Sequence, residues 1–482
     1  MLLVALLGCD VEPSTDEEGV DDTGPAADDT ATPADVHSLS EADVSVTGTA
    51  STAVGNAVAF AAGAERPAVA FAAYFSSRVC VFNSLPGAGT YSMDAMGTCW
   101  TSPRLSDFGG YSLAGGADLD GDGAGDLLVG AVGDSTQGSA AGAVYLLADP
   151  GIGGARLLAQ ARTTFLGETV GDYAGSGVAF AGDVDGDGAP DLLVGASSND
   201  AGGVGGGRAY LIRGPIPTGE FLLVDADARI SGSGSSGVAP PHGAPVEGDG
   251  VGVALDGIGD FDGDGLDDLA LGANGSDRGG LDAGAVAIFL GPVADGPLTI
   301  DAADQLYLGD ADFQYAGDAV AAAGDLDGDG LADLLVGGNS QGPGTTWVVA
   351  GPGVPGSSTI TDVPTSLVGE ADFDYAGAFS ARAGDLNGDG WQDVVIGAYG
   401  SAKVASQAGV VYLAFGPFPT GANAVADIAR QWLGEQEEDN AGRAVAGGAD
   451  ADGDGLDDVL VGAQYSDEGG TFGGQAYVLL SK

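Results

Sequence analysis

DVDGDGAPDLLVGA, residues 183–196, decides how the rest of the chain reads. Its first nine residues follow Asp-x-Asp-x-Asp-Gly-x-x-Asp, and the apolar run behind them enters a β-strand. The same pattern recurs as DLDGDGAGD from Asp118, DFDGDGLDD from Asp260, DLDGDGLAD from Asp325, DLNGDGWQD from Asp385 and DADGDGLDD from Asp450. Six copies, most of them 65 residues apart, predict an array of small β units.

Alternating carboxylates in a tight loop suit a hard cation, since Ca²⁺ takes about 6–8 oxygens at roughly 2.3–2.6 Å. Positions one, three, five and nine offer side-chain oxygens and position seven a main-chain carbonyl, so six Ca²⁺ sites are expected. Their residues are Asp118, Asp120, Asp122, Ala124 and Asp126; Asp183, Asp185, Asp187, Ala189 and Asp191; and Asp260, Asp262, Asp264, Leu266 and Asp268. The others are Asp325, Asp327, Asp329, Leu331 and Asp333; Asp385, Asn387, Asp389, Trp391 and Asp393; and Asp450, Asp452, Asp454, Leu456 and Asp458. The position-six glycine allows a sharp turn at positive φ. Asn387 keeps an oxygen and loses a charge, so its loop should bind more weakly. One such loop reads equally well as a solvated turn; six, each with the same glycine and following strand, favour metal.

Around each loop the chain is equally regular. Tyr173-Ala174-Gly175 leads into VAFAGD, the loop, DLLVGAS, a Gly/Ser-rich stretch and GRAYLIRGP, before a less regular segment and the next start. Comparable starts are FGGYSLAGGAD from Phe108, YAGDAVAAAGD from Tyr315, YAGAFSARAGD from Tyr375 and NAGRAVAGGAD from Asn440. Four short strands with glycine turns make one blade of a β-propeller. The chain resembles the FG-GAP repeats of the integrin α-subunit head, in a bacterial lipoprotein-like version. Phe108-Gly109 keeps the first half of that motif, and Gly130-Ala131, Gly195-Ala196, Gly272-Ala273, Gly397-Ala398 and Gly462-Ala463 keep the second without its proline.

A further repeat from Val46 aligns with the others, except that Ala64-Glu65-Arg66 stands where carboxylates belong, so the first blade is expected to lack calcium. The reading is therefore all-β: a seven-bladed propeller over residues 41–482, each blade four antiparallel strands. GQAYVLLSK ends on a third strand, and ADVSVTGTA, from Ala42, matches the missing fourth. The two would zip together and remove an exposed edge.

Residues 1–9 read as a lipoprotein-type signal, with Leu6-Leu7-Gly8-Cys9 like a lipobox and Cys9 the lipidation site. No Lys or Arg precedes the apolar run, so a chance match or a mis-assigned start is the alternative. Residues 10–40 are acidic, Thr/Pro-rich and poor in apolar residues, the composition of a disordered tether. Cys80 and Cys99 would form a cross-strand disulfide in an oxidising compartment, with two buried free thiols the alternative. Lys plus Arg number 14 against 70 Asp plus Glu, a formal charge of −56 that repels nucleic acid and anionic membranes. Solubility or a saline habitat explains this excess as well as an acidic binding surface does.

In an up-and-down blade the metal loops share one end, and the second-to-third connections and blade-to-blade links share the other. That far end carries residues 132–142, 197–207, 274–284, 399–409 and 464–474, plus an insertion from Ser235. Long connections on a rigid scaffold concentrate binding, and integrin α heads use this face too; loop drift is the bland reading. Two histidines and no His-Glu-x-x-His give catalysis little support. The expected function is a monomeric, exported, calcium-binding module that binds a protein or glycan at the cell surface, tied to membrane only by a lipid anchor. The alternative is a calcium-dependent polysaccharide-cleaving propeller.

Overall fold

The computed structural model describes residues 35–61, 67–119, 125–151, 153–234, 248–339 and 342–482. The signal with Cys9, most of the acidic segment, Ala64-Glu65-Arg66, the loop residues Asp120, Asp122 and Ala124, and the insertion at 235–247 lie outside the described residues.

The second strand of each unit is apolar at nearly every position, as in Leu127–Ala131, Asp191–Ala196 and Asp393–Ala398. A strand without a polar face must be covered on both sides, and a radial stack of sheets does this. Seven sheets result, and the chain is a seven-bladed propeller. Val54–Ala61, Gly109–Gly115, Ala174–Gly182, Leu255–Gly259, Ala316–Gly324, Phe379–Gly384 and Ala444–Ala449 are the first strands of blades 1 to 7. The apolar core forms seven clusters, each shared by two neighbouring blades.

The glycine of each Gly-Ala pair sets the blade spacing. A Cβ on Gly130, Gly195, Gly272, Gly397 or Gly462 would fall 1.9–2.3 Å from the carbonyl oxygen of Gly175, Gly252, Gly317, Gly442 or Gly55 in the next blade. Only hydrogen fits there.

Each sheet has five strands, one more than the sequence reading allowed. The fifth comes from the next blade, whose third-to-fourth connection crosses back before returning. Gly154–Leu157 lies parallel to Thr98–Thr101 of blade 1, and Gly219–Leu222 parallel to Thr163–Leu166 of blade 2. A short helical turn then drops a buried side chain inward, Leu158, Leu223, Ile300, Ile360 or Val425, before the fourth strand begins. The segment read as irregular is thus a regular clasp between blades.

Closure uses the same device. Val44–Thr47 is the fourth strand of blade 7, antiparallel to the last strand with Val44 opposite Val478 and Thr47 opposite Gln475. Gly89–Ser92, from blade 1, lies parallel to it. Val36–Ser38, which the sequence reading left in the acidic tether, is the fifth strand of blade 6, paired with Gln431–Leu433. Cys80 and Cys99 face each other across the third and fourth strands of blade 1 and are joined by a disulfide.

Candidate functional site

The metal-type loops join first and second strands and fold around their own carboxylates. In blade 3 the Asp183 carboxylate accepts the N–H groups of Gly186 and Gly188, both at 2.9 Å. Asp185 accepts from Asp187 at 3.2 Å, and Asp187 from Ala189 at 2.8 Å. Blades 4, 5, 6 and 7 repeat these bonds from Asp260, Asp325, Asp385 and Asp450 onward. Main-chain donors thus hold the carboxylates together despite their repulsion.

The outcome is four clusters whose oxygens lie within 4.8 Å of one another: Asp183, Asp185 and Asp187; Asp260, Asp262 and Asp268; Asp325, Asp327 and Asp333; and Asp450, Asp452 and Asp458. Such all-oxygen donor sets fit a hard divalent cation. In blade 6 position three is Asn387, whose amide nitrogen bonds Asp389 at 3.0 Å, so this loop lacks the acid that the four clusters place there. Blade 2 shows only the ends of its loop, Asp118 and Asp126.

Position nine does a second job. Asp191, Asp268, Asp333 and Asp393 are fully buried, and Asp458 is 1% exposed. One oxygen of each accepts the position-two N–H, as Asp191 does from Val184 at 3.0 Å. The other accepts an N–H just past the third strand, from Gly214, Gly291, Gly351, Gly416 or Ser481. Burial pushes Asp191, Asp268, Asp333 and Asp458 up to about 6 and Asp393 up to about 7, against the pull of those main-chain donors. The residue therefore ties the loop to the far side of its own sheet. Blade 3 differs again: the Arg213 guanidinium sits 3.4 Å from Asp185 and also reaches Asp295, so a built-in cation faces a predicted ligand. Spacing of acidic residues could not reveal that pairing.

At the opposite end the first strands of all seven blades surround a cavity of about 550 Å³. Its lining mixes Asn56, Tyr111, Ser176, Asp318, Phe379 and Arg443. Asp318 accepts from Asn274 at 2.8 Å; burial raises its pKa, opposed by its amide partners and Arg443. The Arg443 guanidinium stacks over Tyr399 at 5.3 Å and Phe379 at 5.8 Å. Phe108, Tyr173 and Phe373 stand exposed at this end. Phe108, Tyr173, Tyr315 and Tyr375 all hold φ between 53° and 58°, a conformation costly for such bulky residues. Each precedes the close blade contact, and that packing holds it in place.

Comparison with known proteins agrees with this construction. The FG-GAP repeat family matches residues 174–212, 251–289 and 441–479, and the FG-GAP-like repeat family matches 325–396. Integrin alpha pat-2 of Caenorhabditis briggsae is 31% identical over 245 residues, 46% of this chain and 18% of its own length. Human integrin alpha-IIb is 34% identical over 157 residues, 30% of this chain and 14% of its own. Integrin alpha-PS2 of Drosophila melanogaster is 34% identical over 184 residues, 36% and 12%. The matched stretches thus span less than a fifth of these relatives. A virginiamycin B lyase from Staphylococcus aureus superposes at TM-score 0.45 and 9% identity, covering 90% of this chain and 98% of its own, too loosely to bear on function.

Proposed function

We propose that this integrin-α-like FG-GAP propeller is an exported, calcium-loaded module that binds a protein or glycan at the cell surface. The observation that carries this reading is the separation of two features on one rigid ring. Clustered carboxylates occupy the first-to-second loops, and the polar, aromatic mouth opens at the other end. Ca²⁺ would be held by positions one, three, five and nine of each loop, with the position-seven carbonyl, and would brace the ring by mass action. The mouth would do the recognising. Export and the Cys9 anchor belong to the same reading, supported by the signal-like start and the oxidised cysteine pair, and the proposed module is monomeric.

Two measurements test it. Chelation should lower the melting temperature by about 5–15 °C, given millimolar-range extracellular sites. An unchanged melt, with no calcium found by elemental analysis, would remove the metal. Pull-down from surface extracts with the full chain should identify a ligand that survives Asp327→Ala but not Tyr111→Ala. The reverse pattern would place recognition at the metal loops.

A further inference from the structure

The metal-type loops of neighbouring blades touch one another in a fixed way. The Leu266 side chain of blade 4 reaches 2.9 Å from where a Cβ on Gly186 of blade 3 would stand. Leu331 covers Gly263, Trp391 covers Gly328 and Leu456 covers Gly388, at 2.8–3.2 Å by the same measure. The position-seven side chain of each loop thus shingles over the position-four glycine of the loop before it, from blade 3 to blade 7.

A polar contact at position eight joins some of these pairs. Asp267 donates its N–H to the Asp183 carbonyl at 3.1 Å, and its carboxylate accepts the Asp183 N–H at 2.7 Å. Asp457 does the same with Asp385, at 3.1 and 2.9 Å. Blade 5 has Ala332 here and keeps only the main-chain half, to Asp260 at 3.1 Å. Pro190 has no N–H to offer blade 2. Room for the carboxylate comes from the glycine ahead of the partner loop: a Cβ on Gly182 or Gly384 would lie 2.1 or 2.0 Å from Asp267 or Asp457 Oδ2. Both glycines hold φ near +80°, at +77° and +81°.

We propose that Asp267 and Asp457 are positioning residues for the metal loop of the blade before their own, so that ions in blades 3 and 4, and in blades 6 and 7, bind as coupled pairs. The proposal rests on the calcium reading above. Asp183 and Asp385 are the first ligand residue of their loops, and a charged acceptor on their N–H fixes the backbone from which that ligand projects. It also adds negative potential beside the ion without contacting it. Blades 4 and 5, with only the main-chain bond, should be less coupled.

Trp391 supplies a native reporter, since it lies in the blade 6 loop and would sensitise terbium bound there. The experiment is a Tb³⁺ luminescence titration of the full chain, excited through tryptophan. D389A removes a blade 6 ligand and so marks the part of the signal from that loop. D457A, in blade 7, should shift that same part to about tenfold higher terbium, as loss of a charge-assisted hydrogen bond does, and D457N should shift it less. D454A, which removes a blade 7 ligand but spares the contact, should shift it only through coupling and by less than D457A. Superposition of D457A on the unmutated isotherm in the part that D389A removes would overturn the proposal. If D389A removes nothing, the calcium reading of that loop fails first. Calcium stoichiometry by equilibrium dialysis gives a second check: D267A should weaken two sites, and weakening of one alone would count against coupling.

Discussion

At the scale of single residues, blade 2 shows what happens when one repeat departs from its neighbours. Position 199 in blade 3 is Asn, whose Nδ2 donates to Asp172 at 2.9 Å, and blades 6 and 7 carry Ser401 and Ser466 there. Blade 2 has Asp134 opposite Asp107, both nearly buried, and among the described residues Asp107 Oδ1 has no hydrogen-bond partner. Burial raises the Asp107 pKa and the Asp134 charge adds to the rise, with the Arg104 N–H opposing. A carboxyl raised in the folded state favours the protonated fold, so its benefit is full below the unfolded value and lost as pH climbs through the folded one. Asp134→Asn should therefore stabilise by about 1 kcal/mol at pH 7 and by almost nothing near pH 3. Thermal melts across that range check it, and equal gains at both ends would refute the charge argument. Arg213 offers a second single-residue test: Arg213→Met should raise calcium affinity at the blade 3 loop by about two- to fivefold, read by competition with a chelating dye. The acidic loops were legible residue by residue, because a cation's demands are local, and four of them gather three carboxylates among the described residues. Arg213 beside Asp185 was not, since the two meet only when a third strand returns alongside its own loop.

Elements raise the matter of edges. Each blade leaves its fourth strand open, and each next blade covers it with a short strand and a buried peg. The segment reads as irregular because four residues of edge strand, mostly exposed, carry no long apolar period. Its signature is a glycine, three variable residues and an aliphatic peg, as in GARLL from Gly154 and GEFLL from Gly219. The closing strand was easier to find, because it fills a gap left by a truncated last repeat. Deleting residues 36–50 strips two strands from the seam and exposes Gln475–Leu479, so aggregation or a broad, non-cooperative melt is expected. Deleting residues 10–34 should leave the melt unchanged, and matching behaviour of the two truncations would show that the seam closes otherwise. The disulfide spans 19 residues, and removing it as Cys80→Ser with Cys99→Ser should cost about 3 kcal/mol in denaturant unfolding.

Over the whole molecule, a formal charge of −56 opposes compaction and is gathered most tightly in the metal loops. Screening lengths fall from about 30 Å at 0.01 M salt to about 3 Å at 1 M. Salt should therefore raise the melting temperature of the calcium-free protein more than that of the loaded one, because bound ions already relieve the repulsion. Scanning calorimetry at both ionic strengths reads the difference, and equal shifts would mean that the loops contribute little to self-repulsion. The ring also explains why two ends of one scaffold can be assigned separate work. The blades that carry a metal-type loop present it one way and their longer connections the other, because the first four strands of each sheet run antiparallel.

The sequence by itself determined the repeat, the blade count, the direction of each loop and the strand that shuts the ring. These depend on residue type at fixed spacing, and spacing survives without coordinates. Only the tertiary structure decided which distant groups meet: between blades, the fifth strands, the Asp267 and Asp457 contacts and the Arg443 stack, and within blade 2 the buried pair at Asp107 and Asp134. Those contacts join residues distant in the chain whose own types do not name their partners, so they are fixed only once the sheets have formed and packed.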